Sequence, residues 1–474
     1  MHDASITRRD LLKLAGCGAA ALAMPRLLAA DPPKPKPNIL LIVADDLGYG
    51  DLGCYGQQKI LTPNIDRLAA EGIRFTQCYA GSSVCAPSRC SLMTGMHNGH
   101  NRIRDNIPHN IWLRPDDLTV AEVLKQAGYK TGCIGKWSLG NPGSWGIANY
   151  QGFDYFYGHL NQDQAHFYYP DYLWENDKVV LLQKVVFEND VGKLIGNRGG
   201  QRVFYTHDLF TEKALDFVKR NAEDPFFLYL AYTIPHFSDY PSNTPEHFMV
   251  PSDEPYTDRP WPQTAKNYAA MITRMDRDVG RIMQLIKKLG LDENTIVFFT
   301  SDNGPYKGSL IPIEFFGSNG ILRGGKRDLY EGGIRIPMIA RWPGKIMPCQ
   351  VSDQVWAFWD FLPTAAELVG LPAPKGIDGI SMLPALLGRP QKNHEYLYWD
   401  YGHVRKTYKQ AVRLGRYKAV RVGLGSPVEL YDLQTDPGET KDIAANHPDI
   451  VAEMERIMRT APAPSPDYPV GRKS

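Results

Sequence analysis

From Asn38 to Val43 the chain reads NILLIV, apolar at every position after the first and rich in branched side chains. A run with no polar alternation belongs to a strand covered on both faces. IRFTQCYA (73–80), YKTGCIGKW (129–137), DPFFLYLAY (224–232) and NTIVFFTSDNG (294–304) also read as strands. Between them the period becomes helical. TPNIDRLAAEG begins with Thr62 as N-cap and Pro63 in the first turn, and Gly72 stops it. TVAEVLKQAG carries the capping-box pair Thr119 and Glu122 and ends at Gly128. Asp208–Arg220 reads as a further helix, and Met275, Val279, Ile282, Ile286 and Leu289 mark the apolar stripe of a longer one. This alternation predicts an α/β fold, a large doubly wound mixed sheet flanked by helices. The chemistry of such sheets gathers at the carboxyl ends of the strands.

The texture changes near Pro390. EYLYWDY, KQAVRLGRYKAVRV and VELYDLQTDPGE are short, alternating and punctuated by turns. They predict a smaller C-terminal antiparallel sheet, with a helix over about Asp449–Thr460 packed on it. The proline-rich end, APAPSPDYPVGRKS, is expected to be loose. The resulting division is a leader over 1–30, a catalytic α/β domain over 31–390 and a small subdomain over 391–474. No internal repeat is visible.

Length, 474 residues, is ample for a large core. Lys and Arg number 53 against 52 Asp and Glu, so no charge excess points to nucleic acid or to an anionic membrane surface. The leader has paired Arg8 and Arg9, a short apolar run and a small-residue exit at Ala29–Ala30. It reads as a Tat-type export signal, which places the mature chain in the periplasm or outside the cell. The apolar run is too short for stable membrane insertion. Too few apolar residues precede Cys17 for lipoprotein anchoring to be expected. Seven cysteines include no CxxC pair and no zinc-spaced Cys/His cluster.

Two pairs of oxygen-bearing residues directly follow buried strands, Asp45 with Asp46 and Asp302 with Asn303. Four such ligands suit a hard divalent cation, Ca²⁺ or Mg²⁺. SSVCAPSRCSLMTG (82–95) asks whether Cys85 is a packed thiol, a disulfide half, a metal ligand or a nucleophile. Pro87 favours helix initiation, which sets Cys85 at a helix N-terminus, where an anion is stabilised. Arg89, four residues on, lies on the same face and is expected to reach back to it.

CAPSR has the C-x-P-S-R form of the sulfatase signature, and the chain resembles the type I, formylglycine-dependent sulfatases of the alkaline phosphatase superfamily, the arylsulfatase-A-like and carbohydrate sulfatases among them. NILLIVADDLGYGDLGCYG, CAPSRCSLMTG, GKWSLG, TIPH, FFTSDNGPY, GGKRDLYEGGIRIP and ELYDLQTDPGE carry the resemblance in family order over nearly the whole mature length. It implies that a formylglycine-generating enzyme converts Cys85 to formylglycine. The hydrated aldehyde would attack sulfur and then eliminate sulfate. It implies a metal site of Asp45, Asp46, Cys85, Asp302 and Asn303. Arg89 would orient the hydrate, Lys136 and Lys326 would hold sulfate oxygens, and His236 would face the leaving oxygen. One position departs from the pattern: the family has GKWHLG, and Ser138 stands here in place of the histidine. Another histidine, Asp302 alone, or slow turnover would answer for it.

TGMHNGHNRIRDN follows the signature and resembles the TGxHxGHxxxRxN variant that accompanies carbohydrate sulfatases, which makes Arg104 and Asn106 candidate substrate contacts and His100 a structural one. FYGHLNQDQAHFYYPDYLWEN is rich in rings and amides, a composition suited to a sugar. His166 is its candidate substrate contact, and His159 reads equally as core. The resemblance implies hydrolysis of sulfate monoesters on a sulfated saccharide; the alternatives are a phosphonate or phosphodiester hydrolase that uses the same nucleophile, and a non-catalytic sulfated-glycan binding protein in which Cys85 is never modified.

Overall fold

The structure is a computed structural model that describes residues 36–162, 164–182, 202–238 and 247–470. The Tat-type leader lies outside the described residues. Among those described, eleven strands form one sheet. They are β1 (Asn38–Asp45), β2 (Ile73–Tyr79), β3 (Lys130–Lys136), β4 (Tyr155–His159), β5 (Tyr172–Glu175), β6 (Lys178–Leu181), β7 (Phe226–Pro235), β8 (Thr295–Ser301), β9 (Arg335–Arg341), β10 (Gln350–Ser352) and β11 (Trp356–Ala357). Their order is β10-β2-β9-β8-β1-β7-β3-β4-β5-β6, with β11 paired to β2. The five strands β8, β1, β7, β3 and β4 run parallel and side by side. β9 is antiparallel to both β8 and β2, and β5 is antiparallel to β4, so the sheet is mixed.

The helices of two turns or more are α1 (Pro63–Ala70), α2 (Cys85–Thr94), α3 (Val120–Gln126), α4 (Thr206–Arg220), α5 (Gln263–Lys288), α6 (Phe361–Leu368) and α7 (Pro448–Thr460). Every residue of β1 is buried. Leu40, Ile42 and Ala44 join one core with Ile65 of α1, Phe210 and Ala214 of α4, and Met275, Val279 and Ile282 of α5. Ile39, Leu41 and Val43 join the opposite core with Ala86 and Leu92 of α2, Leu124 of α3 and Leu362 of α6. Successive side chains of a strand face opposite sides, so an unbroken apolar run is what two covered faces require.

β12 (Leu397–Tyr401), β13 (Lys409–Leu414), β14 (Tyr417–Val422) and β15 (Glu429–Asp432) form a second, antiparallel sheet in sequence order. Val412, Ala419 and Leu430 pack on Met454, Ile457 and Met458 of α7. Trp399, Ala411 and Val420 on the other face pack on Tyr79, Val84 and Trp359. The tail corrects its expectation. Ala461 and Tyr468 are buried, and Ala463 N donates to Gly99 O at 3.0 Å. Arg104 Nη1 donates to Ala463 O at 2.8 Å, and Arg102 pairs with Asp467. The buried Tyr468 ring and these tail-to-core bonds outweigh what proline content suggests. Among the described residues no helix is long and apolar enough to cross a membrane.

Candidate active site

Four adjacent parallel strands deliver polar residues to one edge. β8 ends at Ser301, so Asp302 and Asn303 follow it, and neighbouring β1 ends at Asp45. β7 ends at Pro235 with His236 next, and β3 ends at Lys136. Register fixes the first two pairs against each other, Ala44 opposite Ser301, and Asp302 N donates to Ala44 O at 3.1 Å. Asp46 turns left-handed, with φ 63°, and its N–H donates to Asp302 Oδ1 at 3.1 Å. Aspartate is among the few side chains that tolerate this conformation.

Cys85 is the first residue of α2, and all ten residues of that helix are buried. Its polar members have partners. Ser88 Oγ accepts from Gly81 N at 3.0 Å, and Ser91 Oγ accepts from Asn101 Nδ2 at 2.7 Å. Asn106 Oδ1 accepts from Ala86 N at 3.0 Å and so caps an N–H that the helix itself cannot satisfy. Gly95 ends α2 at φ 74°, a left-handed C-terminal stop.

Cys85 Sγ lies 3.3 Å from Asp45 Oδ1. Lys136 Nζ donates to Asp45 Oδ2 at 2.6 Å, and Lys326 Nζ donates to Asp46 Oδ2 at 2.7 Å. Lys326 arrives on a loop pinned at two successive residues, its own N–H donating to Pro305 O at 2.8 Å and Arg327 N to Ser83 O at 2.9 Å. Arg89 does not follow the expectation of reaching back to Cys85. Nε donates to Asp302 Oδ2 at 2.9 Å, and Nη1 donates to Lys136 O at 3.0 Å and Tyr229 OH at 3.1 Å. Its planar fork therefore links α2, β3, β7 and β8. The Tyr229 hydroxyl was not foreseeable from a run read as core.

His236 Nε2 lies 2.7 Å from Lys326 Nζ and 3.4 Å from Asp46 Oδ2, while Nδ1 meets the carbonyl of Phe237. His166 stacks on His236 at 3.8 Å between centroids, 12° from parallel. Its Nε2 is 3.2 Å from Lys136 Nζ and 3.1 Å from Gln162 Nε2. His159 is buried beside Phe210, away from these contacts. Arg104 is not in the cluster: besides Ala463 O it donates from Nε to Asn101 O at 3.0 Å. Asn106 is near it, in a cavity of about 90 Å³ shared with Ala86, Ser138, Asn141, Asn161 and Gln162. Ser138 sits at φ 65°, with a buried Oγ that has no hydrogen-bond partner.

Charge compensation sets the protonation states. Burial alone would raise the Asp45 carboxyl, but Lys136, His236, Arg89 and Lys326 together hold it well below the usual carboxylate range. Burial and then the Asp45 charge push Asp302 up to about 7. Burial lowers His236, against the opposing pull of Asp46. Burial, then Asp45, pushes the Cys85 thiol up to about 12. Ligand atoms of Asp45, Asp46, Cys85 and His236 all lie within 4.8 Å of one another. Asn303 Nδ2 donates to Asp46 Oδ1 at 2.7 Å, leaving its buried Oδ1 without a partner. Three carboxylates and an unpartnered amide oxygen fit a hard divalent cation.

The family model described as Sulfatase matches residues 37–371, and that described as N-sulphoglucosamine sulphohydrolase, C-terminal, matches 324–461. The chain is 35% identical over 438 residues to N-acetylgalactosamine-6-sulfatase of Canis lupus familiaris, covering 86% of this chain and 74% of that one. It is 31% identical over 489 residues to N-acetylgalactosamine-6-O-sulfatase of Bacteroides thetaiotaomicron, covering 90% and 93%. The crystal structure of Ps i-CgsB in complex with k-i-k-neocarrahexaose has a TM-score of 0.76 and 29% identity, over 91% of this chain and 93% of that one.

Proposed function

The chain belongs to the sulfatase family, and from that premise we propose that it removes sulfate from a saccharide with a nucleophile made from Cys85. As a member it is a sulfuric ester hydrolase. The observation that carries the finer reading is Cys85 itself, buried at the head of α2, 3.3 Å from Asp45, with its thiol held at about 12. Such a thiol is protonated at neutral pH and a poor nucleophile. Formylglycine, made from this cysteine, supplies a hydrated aldehyde oxygen in its place. Cys85 is fully buried in the folded chain, so a formylglycine-generating enzyme would have to act before folding closes over it. Export of the matured chain through the Tat route to the periplasm or beyond would follow.

We assign Asp45, Asp46, Asp302 and Asn303, with the converted residue 85, to a divalent cation, Ca²⁺ before Mg²⁺, which would supply Lewis-acid polarisation. Lys136 and Lys326 offer ammonium groups to the oxygens of a sulfate monoester. Arg89, fixed by Asp302, the Lys136 carbonyl and Tyr229, holds the first turn of α2 in register with the metal ligands. His236, whose Nε2 meets Lys326, answers the charge that grows on the bridging oxygen. Donors already aimed at developing charge in a dry site need no reorganisation during reaction, which makes them effective.

A saccharide is supported by relatives named for N-acetylgalactosamine 6-sulfate and by a structural neighbour solved with a neocarrahexaose. The lining of the cavity at Ser138 agrees: Asn106, Asn141, Asn161 and Gln162 are amides, and amides pair with sugar hydroxyls. His166 borders the same side through Gln162. Arg104 takes part indirectly, by bracing the segment that carries Asn106. The test is kcat/KM of the matured enzyme on an aryl sulfate and on the matching aryl phosphodiester. The sulfate should be preferred by orders of magnitude; preference for the phosphodiester would replace this reading with diester hydrolysis.

A further inference from the structure

Beyond the active-site edge, the turn after α2 brings together two imidazoles and a carboxylate to which no step above gives a role. His100 N donates to His97 O at 2.9 Å, so the two histidines share one turn, and their rings stack at 4.1 Å. Asp378 comes from far along the chain. Its N–H donates to Gly95 O at 2.9 Å, and His97 N donates back to its Oδ2 at 2.8 Å. His100 Nδ1 lies 2.9 Å from Asp378 Oδ1, and His97 Nε2 lies 3.8 Å from the same oxygen. One ligand atom from each of the three residues falls within 4.8 Å of the others.

A second, independent observation points to a ligand. His97 is 4% exposed, yet neither of its ring nitrogens has a hydrogen-bond partner. Burying a polar nitrogen unsatisfied is unfavourable, and this ring buries two. Burial also pushes His97 down to about 4, so the ring is neutral and its lone pair is available at neutral pH. The other two ligands are reachable from solvent, the His100 side chain at 32% exposure and that of Asp378 at 21%. His100 lines a cavity of about 390 Å³ with Met96, Asn101, Lys375 and Ile377, which gives an ion a path in.

We propose that His97, His100 and Asp378 form a second metal site, for a zinc-class transition ion, separate from the oxygen-lined active site. Two imidazole nitrogens and one carboxylate oxygen are a borderline donor set that suits Zn²⁺ and disfavours Ca²⁺. Tetrahedral ligands at about 2.0–2.1 Å from zinc stand roughly 3.3 Å apart. His100 and Asp378 are already closer than that, and a shift of about half an ångström by the partly exposed Asp378 carboxylate closes the 3.8 Å to His97. The carboxylate is oriented by the His97 N–H, the kind of outer support that ligating carboxylates have. Arg104, near His97, opposes a cation there, and the buried Asp400 offsets it. Bound zinc would clamp the C-terminal stop of the nucleophile helix to the 378–379 segment.

The test uses the full chain, stripped of metal and then kept in excess calcium so that the oxygen-lined site is filled. Zinc is titrated by calorimetry, and retained zinc is counted by elemental analysis after dialysis. Wild type should bind one zinc per chain beyond any bound at the active site. His97→Ala and Asp378→Asn should each raise the dissociation constant by about 100-fold or more. His100→Ala, at an exposed ligand whose loss leaves the core packed, should do the same and guards against a variant that fails to fold. Zinc binding that is unchanged in His100→Ala, or no zinc retained by wild type, would overturn the proposal.

Discussion

Replacing Lys418 by methionine strands two buried carboxylates. Lys418 lies on β14, and its Nζ is 2.9 Å from Glu331 Oε1 and 2.9 Å from Glu439 Oε1, with all three side chains fully buried. Glu331 keeps other partners in Arg335 Nη1 at 3.2 Å and the Tyr79 hydroxyl at 2.8 Å. Glu439 keeps the Glu331 N–H at 2.6 Å and, among the described residues, no other cation within pairing distance. Removing one partner of a buried ion cluster costs about 3–5 kcal/mol, because the remaining charge is left desolvated. The sign of the pH dependence follows from Glu439. Burial pushes its carboxyl up to about 7, against the pull of Lys418. Without Lys418 the value rises further. The folded chain then keeps a proton that the unfolded chain has already released, so stability falls as pH rises through the window. In wild type the fall levels off near 7; in the variant it continues. The destabilisation should therefore grow by about 1.4 kcal/mol per unit above pH 7. Urea unfolding at pH 7 and pH 8, read as midpoint and slope, measures both quantities. Glu439→Gln, which leaves a one-to-one pair, should flatten the slope between pH 4.5 and 7. A Lys418→Met variant within about 0.5 kcal/mol of wild type, equally at both pH values, would refute the reasoning.

Cys85→Ala should abolish turnover and leave the fold intact, whereas Cys90→Ala, also buried in α2, should cost only about 1 kcal/mol of packing; equal loss of activity in both would point to a structural role. Chelation should remove activity and calcium should restore it, and Asp45→Ala and Asp302→Ala should each prevent restoration; two zinc ions in the active site of purified protein would contradict the ligand assignment. Ser138→His adds an imidazole at a φ of 65° that histidine tolerates better than most residues. If the second half of the reaction limits wild type, rapid quench should show a burst of about one equivalent of alcohol, which the variant shrinks while kcat rises; linear product formation in wild type would remove that role from position 138.

The central strands were legible because burial on both faces leaves an unbroken apolar run, as in β1, β7 and β8. That Asp45–Asp46 and Asp302–Asn303 come together was legible for the same reason, since residues that end neighbouring parallel strands must meet. β9, RIPMIAR, has Pro337 inside its apolar run, which argues against a central strand, and its antiparallel place between β8 and β2 depends on partners distant in sequence. The ring-rich stretch over 153–175 hides β4 and β5 because the same aromatics suit a strand and a sugar site. Arg104 and Asn106 show the limit for single side chains. Both read as polar residues facing substrate, yet Arg104 donates to backbone carbonyls under the tail, and Asn106, which does line the small cavity, also uses its Oδ1 to cap α2. Sequence spacing does not record which backbone group a side chain finds. His166 lies on a short turn after β4, and only folding stacks it on His236 from after β7.

The most direct test joins chemistry at residue 85 to turnover. Preparations with different degrees of maturation would be assayed on a sulfate ester, and the peptide spanning Cys85 would be weighed to give the fraction converted. Conversion loses H₂S and gains one oxygen. The account predicts that specific activity rises in proportion to that fraction and passes through zero where only cysteine is present. Full activity in chains that retain the Cys85 thiol would contradict it.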